Sequence, residues 1–295
     1  MRLSSTLAVA LFGVECILAS PVVLAPRTSN SLQRRERQRT SNPRLSSSPL
    51  DGVNIALSKN NKSTHTVGSG NSTSNAGNKA ANDVKYSSNW SGAIVKGSGF
   101  QTVTGTIAVP LPKVPSGGST DTYYSASAWV GFDGDSGCSS TILQVGIDFN
   151  IQNGQVSYDA WYEWYPDYAY NFVGFDLHAG DVVTLTATAT SSTSGAVLIE
   201  NETTGKSVTH SFSGESSPLC GLSAEWIVED YMVAGSLVEM ADFGRATFTG
   251  CSATESSGVI VGLGNASIYD ISNNGAVMTD CSKTGTSVVS CAYVS

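Results

Sequence analysis

From residue 101 onward the chain alternates short apolar, β-prone runs with clusters of Gly, Ser, Asn and Pro. Runs stand at 101–109, 125–132, 141–151, 156–165, 182–189, 196–201, 208–213, 224–229, 246–248, 268–271 and 287–293. None sustains the 3.6-residue period of an amphipathic helix, so the pattern predicts strands. Many strands at this spacing predict an all-β fold, a β-sandwich of two antiparallel sheets of the jelly-roll or concanavalin type. Asn273-Asn274-Gly275 predicts a hairpin turn between the last strands.

Four runs carry chemistry on one face only. Strand side chains alternate, so residues two apart share a face. In 224–230, Glu225 and Glu229 oppose Trp226 and Val228. In 126–134, Trp129, Gly131 and Asp133 oppose Ala128, Val130 and Phe132. In 141–149, Gln144, Gly146 and Asp148 oppose Leu143, Val145, Ile147 and Phe149, and in 158–165, Asp159, Trp161, Glu163 and Tyr165 oppose Tyr158, Ala160, Tyr162 and Trp164. If the apolar sets pack between sheets, the other sets line one surface rich in carboxylates and tryptophan and free of basic residues. Solvated faces of antiparallel sheets mix Lys with Glu and Thr; this one predicts an acidic cleft.

Charge divides the sequence. Residues 1–20 read as a secretory signal, with Arg2 ahead of the mostly apolar stretch 7–18 and small residues for cleavage at Ala19, Ser20 or Ala25. That stretch is too short to span a bilayer, and no later one reaches about 18 apolar residues. Residues 21–82 hold nine Lys+Arg against two Asp+Glu and no aromatic residue, so they cannot bury a core alone. Residues 83–295 hold six Lys+Arg against 21 Asp+Glu, a formal −15. This split predicts a signal at 1–20, a basic, loosely structured propeptide at 21–84 and an acidic catalytic domain at 85–295, exported and monomeric. Arg34-Arg35, in the basic cluster 34–39, is a candidate dibasic processing point. The acidic domain excludes nucleic acid as a partner, since that needs a basic footprint.

Export favours disulfides among Cys138, Cys220, Cys251, Cys281 and Cys291. A hairpin turning at 283–287 would put Cys281 opposite Cys291, and Cys138–Cys220 would be a long-range bridge. Pairing of Cys251 with Cys281 or Cys291 stays open on spacing alone. No CxxC, HExxH or Cys/His cluster is present, so no metal or cofactor is expected. Asn-X-Ser/Thr occurs at Asn61, Asn71, Asn89, Asn201 and Asn265; turn-like surroundings favour Asn201 and Asn265 for glycans, whereas Asn89 adjoins a site tryptophan.

The motifs Ser88-Asn89-Trp90-Ser91-Gly92-Ala93, Ser127-Ala128-Trp129-Val130-Gly131-Phe132-Asp133-Gly134-Asp135, Ile142-Leu143-Gln144-Val145-Gly146-Ile147-Asp148-Phe149, Tyr158-Asp159-Ala160-Trp161-Tyr162-Glu163-Trp164-Tyr165 and Ala224-Glu225-Trp226-Ile227-Val228-Glu229-Asp230 resemble, in order, the glutamic peptidases, or eqolisins. The resemblance covers nearly all of 85–295. It implies acid endopeptidases of this sandwich fold, acting on polypeptides with a Gln/Glu dyad that maps onto Gln144 and Glu225. It also implies a substrate-binding set of Trp90, Trp129, Asp133, Asp148, Asp159, Trp161, Glu163, Tyr165 and Glu229. Phe132 and the loop 135–141 depart from the pattern and touch subsites at most.

Chemistry fits that assignment. Peptide hydrolysis needs an activated water, an oxyanion donor and a proton for the leaving amine. Glu225 can supply base and acid, and the Gln144 amide donates at any pH. Alternatives ask for other residues. A pepsin-type site needs a second turn like Asp135-Ser136-Gly137, and a Ser–His triad would have to use His178 or His210. A jelly-roll glycoside hydrolase could pair Glu163 with Glu225, and a carbohydrate-binding sandwich could stack sugars on Trp129, Trp161 and Tyr165. Gln144 discriminates, because a glycosidase needs carboxylates alone. The basic propeptide is expected to act as the enzyme's own inhibitor.

Overall fold

The computed structural model describes residues 39–40 and 84–295 apart from residue 136. The signal 1–20, Cys16, Arg34-Arg35, the sequons at Asn61 and Asn71 and all of the propeptide but 39–40 and 84 lie outside the described residues. No helix of the described residues is long and apolar enough to cross a membrane.

Thirteen longer strands build the domain: β1 (Trp90–Lys96), β2 (Phe100–Ala108), β3 (Tyr124–Asp133), β4 (Ile142–Gln152), β5 (Gln155–Tyr165), β6 (Val182–Ser191), β7 (Ser194–Asn201), β8 (Lys206–Ser213), β9 (Ser223–Glu229), β10 (Arg245–Glu255), β11 (Ser267–Asn273), β12 (Thr279–Thr284) and β13 (Val288–Tyr293). One sheet runs β11-β1-β9-β3-β4-β5, and the other runs β8-β7-β6-β2-β10-β13-β12. These long strands pair antiparallel throughout. The turn Asn274-Gly275, with φ of 51° and 81°, returns β11 onto Ala276–Val277 as a hairpin.

The predicted parity holds residue by residue. Val130, Phe132, Leu143, Val145, Ile147, Phe149, Trp164, Trp226 and Val228 enter the core between the sheets, facing Val103, Leu185, Val197 and Phe248 of the other sheet. Trp226 is fully buried, and its indole N–H donates to the Thr104 carbonyl of the opposite sheet at 2.7 Å. Its burial removes a large apolar surface from water and its hydrogen bond removes the polar cost, so truncation to Ala should cost about 3–5 kcal/mol.

The other face is not open to water as the sequence pattern suggests. A second apolar cluster of Trp90, Ile94, Trp129, Ile142, Trp161, Ile227 and Tyr269 packs on it. The indoles are large enough to close over the short polar side chains between them, which is why Gln144, Glu163, Glu225 and Glu229 have no exposed surface.

Bridges join Cys138 to Cys220 and Cys281 to Cys291, and Cys251 is a buried free thiol. Cys281 and Cys291 are register partners on β12 and β13. The sequon at Asn201 is corrected by burial: its Nδ2 donates to Asp181 at 2.9 Å inside the fold, whereas Asn265 stands exposed in a 3-10 turn. The asparagine opens a turn, as expected, but its amide is spent on a segment twenty residues away.

Two buried acids set a pH signature. Asp270 on β11 accepts from the Cys281 N–H and the Thr279 hydroxyl, tying the sheets at one edge, and burial pushes it up to about 6. Burial, with Glu229 and Glu239 nearby, pushes Asp230 up to about 8. An acid held above its unfolded value favours the fold while protonated. Its contribution is complete below about pH 4 and is lost as pH rises through 6 and then 8. The domain should therefore melt on the order of 10 °C lower at pH 8 than at pH 4, and Asp230→Asn should flatten the upper part of that fall. Thermal scans by circular dichroism test this; equal melting temperatures at both pH values would refute it.

Candidate active site

Strand register aligns the polar side chains in rows across the sheet. Glu225 on β9 pairs with Gly131 on β3, Gly131 with Gln144 on β4, and Gln144 with Glu163 on β5. Four neighbouring strands thus present Glu225, a gap, Gln144 and Glu163 in one line. With strands about 4.8 Å apart, Glu225 and Gln144 are separated by about 10 Å at Cα, and the residue between them on the row is a glycine.

The next row is Tyr269, Gly92, Ile227, Trp129, Gly146 and Trp161, and the row beyond is Trp90, Glu229, Ser127, Asp148 and Asp159. Gly146 lets Trp129 and Trp161 close over it: an added Cβ would stand 2.6 Å from an atom of each. Trp90 meets Trp129 edge to face at 4.9 Å. The glycines therefore alternate with the indoles, and the tryptophan wall stands one row from the line of Glu225 and Gln144.

Each acid has a distinct set of partners. Glu225 accepts from the Ser223 hydroxyl at 2.6 Å, and its other oxygen has no hydrogen-bond partner among the described residues. Burial pushes Glu225 well above the ordinary carboxylate range; the Ser223 bond opposes this, Asp133 and Asp135 add to it, and Lys96 opposes it. Gln144 donates through Nε2 to Glu163 at 2.6 Å, and its Oε1 is likewise buried without a partner among the described residues. Glu229 accepts from the Trp129 indole at 2.9 Å and from Asn89 at 3.4 Å, so Asn89 is a buried member of the site. Asp148 accepts from Ser127, and Asp159 accepts from Asn150 and Asn171. Tyr165, half-buried beside Ile142, has its hydroxyl pushed up by burial and by Glu163.

Asp133 is the residue whose place differs most from expectation. It ends β3 with φ of 66°, a left-handed conformation unusual for a residue other than glycine. Its carboxylate accepts from the backbone N–H groups of Cys220, Gly221 and Leu222 at 2.8–2.9 Å. It thus clamps the segment that delivers Ser223 and Glu225 and is spent on the backbone, where a substrate-binding role was expected.

Sequence reasoning also missed Ser223, Tyr269 and Lys96. Ser223 lies two residues before Glu225 on the same face, which alternation could have flagged. Tyr269 and Lys96 reach the site through pairings of distant segments that no local pattern announces; Lys96 bonds Asp135 at 2.9 Å.

Rival chemistries lose their geometry here. Glu163 and Glu225 stand three strands apart on the row, about 14 Å at Cα, with Gln144 between them, unlike the close carboxylate pair of a glycosidase. His210 stacks on Tyr162 at 4.0 Å, a residue facing the other sheet, and His178 sits exposed beside Asp181.

The gap at Gly131 is testable. A Cβ there would stand 2.7 Å from the Leu143 carbonyl and 3.0 Å from the Gln144 Cβ, so strand or amide must move. Gly131→Ala should lower peptide-hydrolysing kcat at least tenfold, with far-ultraviolet circular dichroism unchanged. Wild-type kcat in a folded variant would show that the gap is dispensable.

Comparison with known proteins agrees with this geometry. The model of the Peptidase A4 family matches residues 88–293. The chain is 48% identical over 219 residues to aspergillopepsin-2 of Aspergillus niger, covering 69% of this chain and 77% of that protein. It is 45% identical over 222 residues to scytalidopepsin B of Scytalidium lignicola, covering 72% and 81%. The crystal structure of scytalido-glutamic peptidase with a peptide-based transition state analog superposes with a TM-score of 0.62 at 43% identity, covering 70% of this chain and 98% of that one.

Proposed function

Because this chain belongs to the peptidase A4 family of glutamic peptidases and is a peptide hydrolase, we propose that it is the precursor of a secreted, monomeric acid endopeptidase using Gln144 and Glu225. The observation that carries this reading is the row Glu225, Gly131, Gln144, in which a carboxylate and an amide flank a residue with no side chain of its own. The signal 1–20 directs export, 21–84 is the propeptide and 85–295 is the catalytic domain.

In the reaction, a polypeptide lies with its scissile carbonyl between the two side chains. Glu225 takes a proton from water as the water oxygen attacks the carbonyl carbon. Gln144 keeps one Nε2 hydrogen on Glu163 and gives the other to the developing oxyanion, so the Glu163 bond fixes the donor's direction. The tetrahedral intermediate collapses, the C–N bond breaks, and Glu225 passes its proton to the leaving nitrogen. A carboxylic acid and an amine leave, and Glu225 is regenerated as a carboxylate. Burial raises its proton affinity, so the ionised form that starts the cycle is the minority form in acid, but it is a stronger base than a solvated glutamate.

Acid optimum follows from the same row. An oxyanion forming beside Glu163, with Asp133 and Asp135 near Glu225, is repelled by each of these carboxylates that is ionised. The cluster titrates as a coupled set whose productive state carries few negative charges. Cleavage of an unfolded protein should therefore peak at acid pH and fall toward pH 7. Glu225→Gln should lower kcat/KM about 10³-fold or more, and Gln144→Ala about 10²–10³-fold, in proteins still folded by circular dichroism. A flat profile to pH 7, or an active Glu225→Gln enzyme, would overturn the mechanism.

The propeptide's nine cations against two anions complement the domain's −15 and make it the inhibitor of the precursor. Peptide 21–82 added to the matured enzyme should inhibit at pH 6 and lose potency near pH 3, where the carboxylates take up protons. Equal inhibition constants at both pH values would count against this role.

A further inference from the structure

Just beyond β9 the backbone forms a small hairpin outside both large sheets. Met232–Val233 pairs with Ser236–Leu237 across Ala234-Gly235, whose φ angles are 51° and 82°. The free edge of Met232–Val233 carries a third strand from far earlier in the sequence: Arg39–Thr40, antiparallel, with Arg39 opposite Val233 and Thr40 opposite Met232.

We propose that the outer edge of the 232–237 hairpin is the docking site for the propeptide, which binds there by strand addition at residues 39–40. The proposal rests on the reading of 21–84 as an inhibitory propeptide and says where and how it is held. An exposed strand edge offers a row of backbone donors and acceptors, and strand addition draws its affinity from them. A low-complexity segment with few apolar side chains needs that mode, since it has little else with which to bind.

Three further observations favour this occupant. Charge is complementary: Arg39 closes the basic cluster 34–39, while the exposed Glu239 follows the hairpin. Shape is suitable: a cavity of about 400 Å³, lined by Tyr123, Val233, Leu237 and Glu239, adjoins the hairpin. Direction matters most. Residues 229 to 232 join the hairpin directly to β9, and the antiparallel register runs Arg39 to Thr40 in the direction from Val233 to Met232, toward the β9 side of the hairpin. Tyr231, between them, donates its hydroxyl to Ser125 on the active face at 2.9 Å. A segment docked on this edge is thus aimed at the acidic rows, and polypeptide substrate competes with it.

Binding can be read without catalysis. A fluorescein-labelled peptide 34–48 is titrated by anisotropy into the matured Glu225→Gln protein, which does not consume it. The same peptide with N-methyl groups on the amides of residues 39 and 40 keeps every charge but breaks the ladder; it should bind at least tenfold more weakly. Replacing residues 233–236 by Asn-Gly should weaken the parent peptide by a similar factor and leave cleavage of a short peptide by the otherwise wild-type enzyme unchanged. Equal affinity of the two peptides would mean that charge alone holds the propeptide, and would overturn the proposal. Undiminished binding to the shortened hairpin would place the dock elsewhere. A neutral peptide of equal length binding as tightly, with the same N-methyl sensitivity, would assign the edge to substrate instead. Anisotropy reports all of these even if the protein cleaves nothing, so a failed peptidase reading stays distinguishable.

Discussion

Carboxyl groups taken out of water must either find donors or keep their protons, and one face of one sheet here buries Asp148, Glu163, Glu225 and Glu229 together. Donors come from the sheet itself: an indole and an asparagine for Glu229, a serine for Asp148, the Gln144 amide for Glu163 and Ser223 for one oxygen of Glu225. The second oxygen of Glu225 has no hydrogen-bond partner among the described residues, and burial favours the protonated form of that residue. A cluster so built is favoured where its members keep their protons.

The tryptophans and glycines are two halves of one device. Indoles at Trp129 and Trp161 lower the local dielectric around the acids, but they need room, and Gly146 between them supplies it. Gly131 stands one row away and places no side chain of its own between Glu225 and Gln144. Antiparallel register then makes both effects precise, because a slip of one residue would turn every acid into the core and every core residue outward. The inner core, with Trp226 bonded to Thr104 across the sheets, is what makes such a slip prohibitively costly.

Alternation made most of this readable. Glu225, Gln144, Glu163, Trp129 and Trp161 could be placed on one face from period two alone, and the strand at 224–229 differs from the folded one by a single residue. What alternation cannot provide is pairing across distance. β1 escaped the list of apolar runs because Ser91 and Gly92 weaken its pattern, yet it lies between β9 and β11 inside the sheet. Asp133 looked like one more acid of the cleft, although an Asp-Gly at a strand end is also a turn signal, and its oxygens go to three backbone N–H groups. Asp230 and Asp270 were invisible as buried acids, because their depth depends on which strands pass over them.

The Asp133 clamp connects these layers. It holds residues 220–222, which also carry the Cys138–Cys220 bridge, and the next residue, Ser223, begins β9, in which Glu225 pairs with Gly131. Glu225 is therefore fixed from one end by a carboxylate gripping backbone and along its length by pairing on both sides. The far end of β9 runs through Glu229, Asp230 and Tyr231 into the hairpin at 232–237. One run of backbone thus joins Glu225 to an edge that carries residues 39–40. Whatever pairs with that edge lies on the segment that directly follows the strand of Glu225, outside the sandwich but continuous with its acidic face.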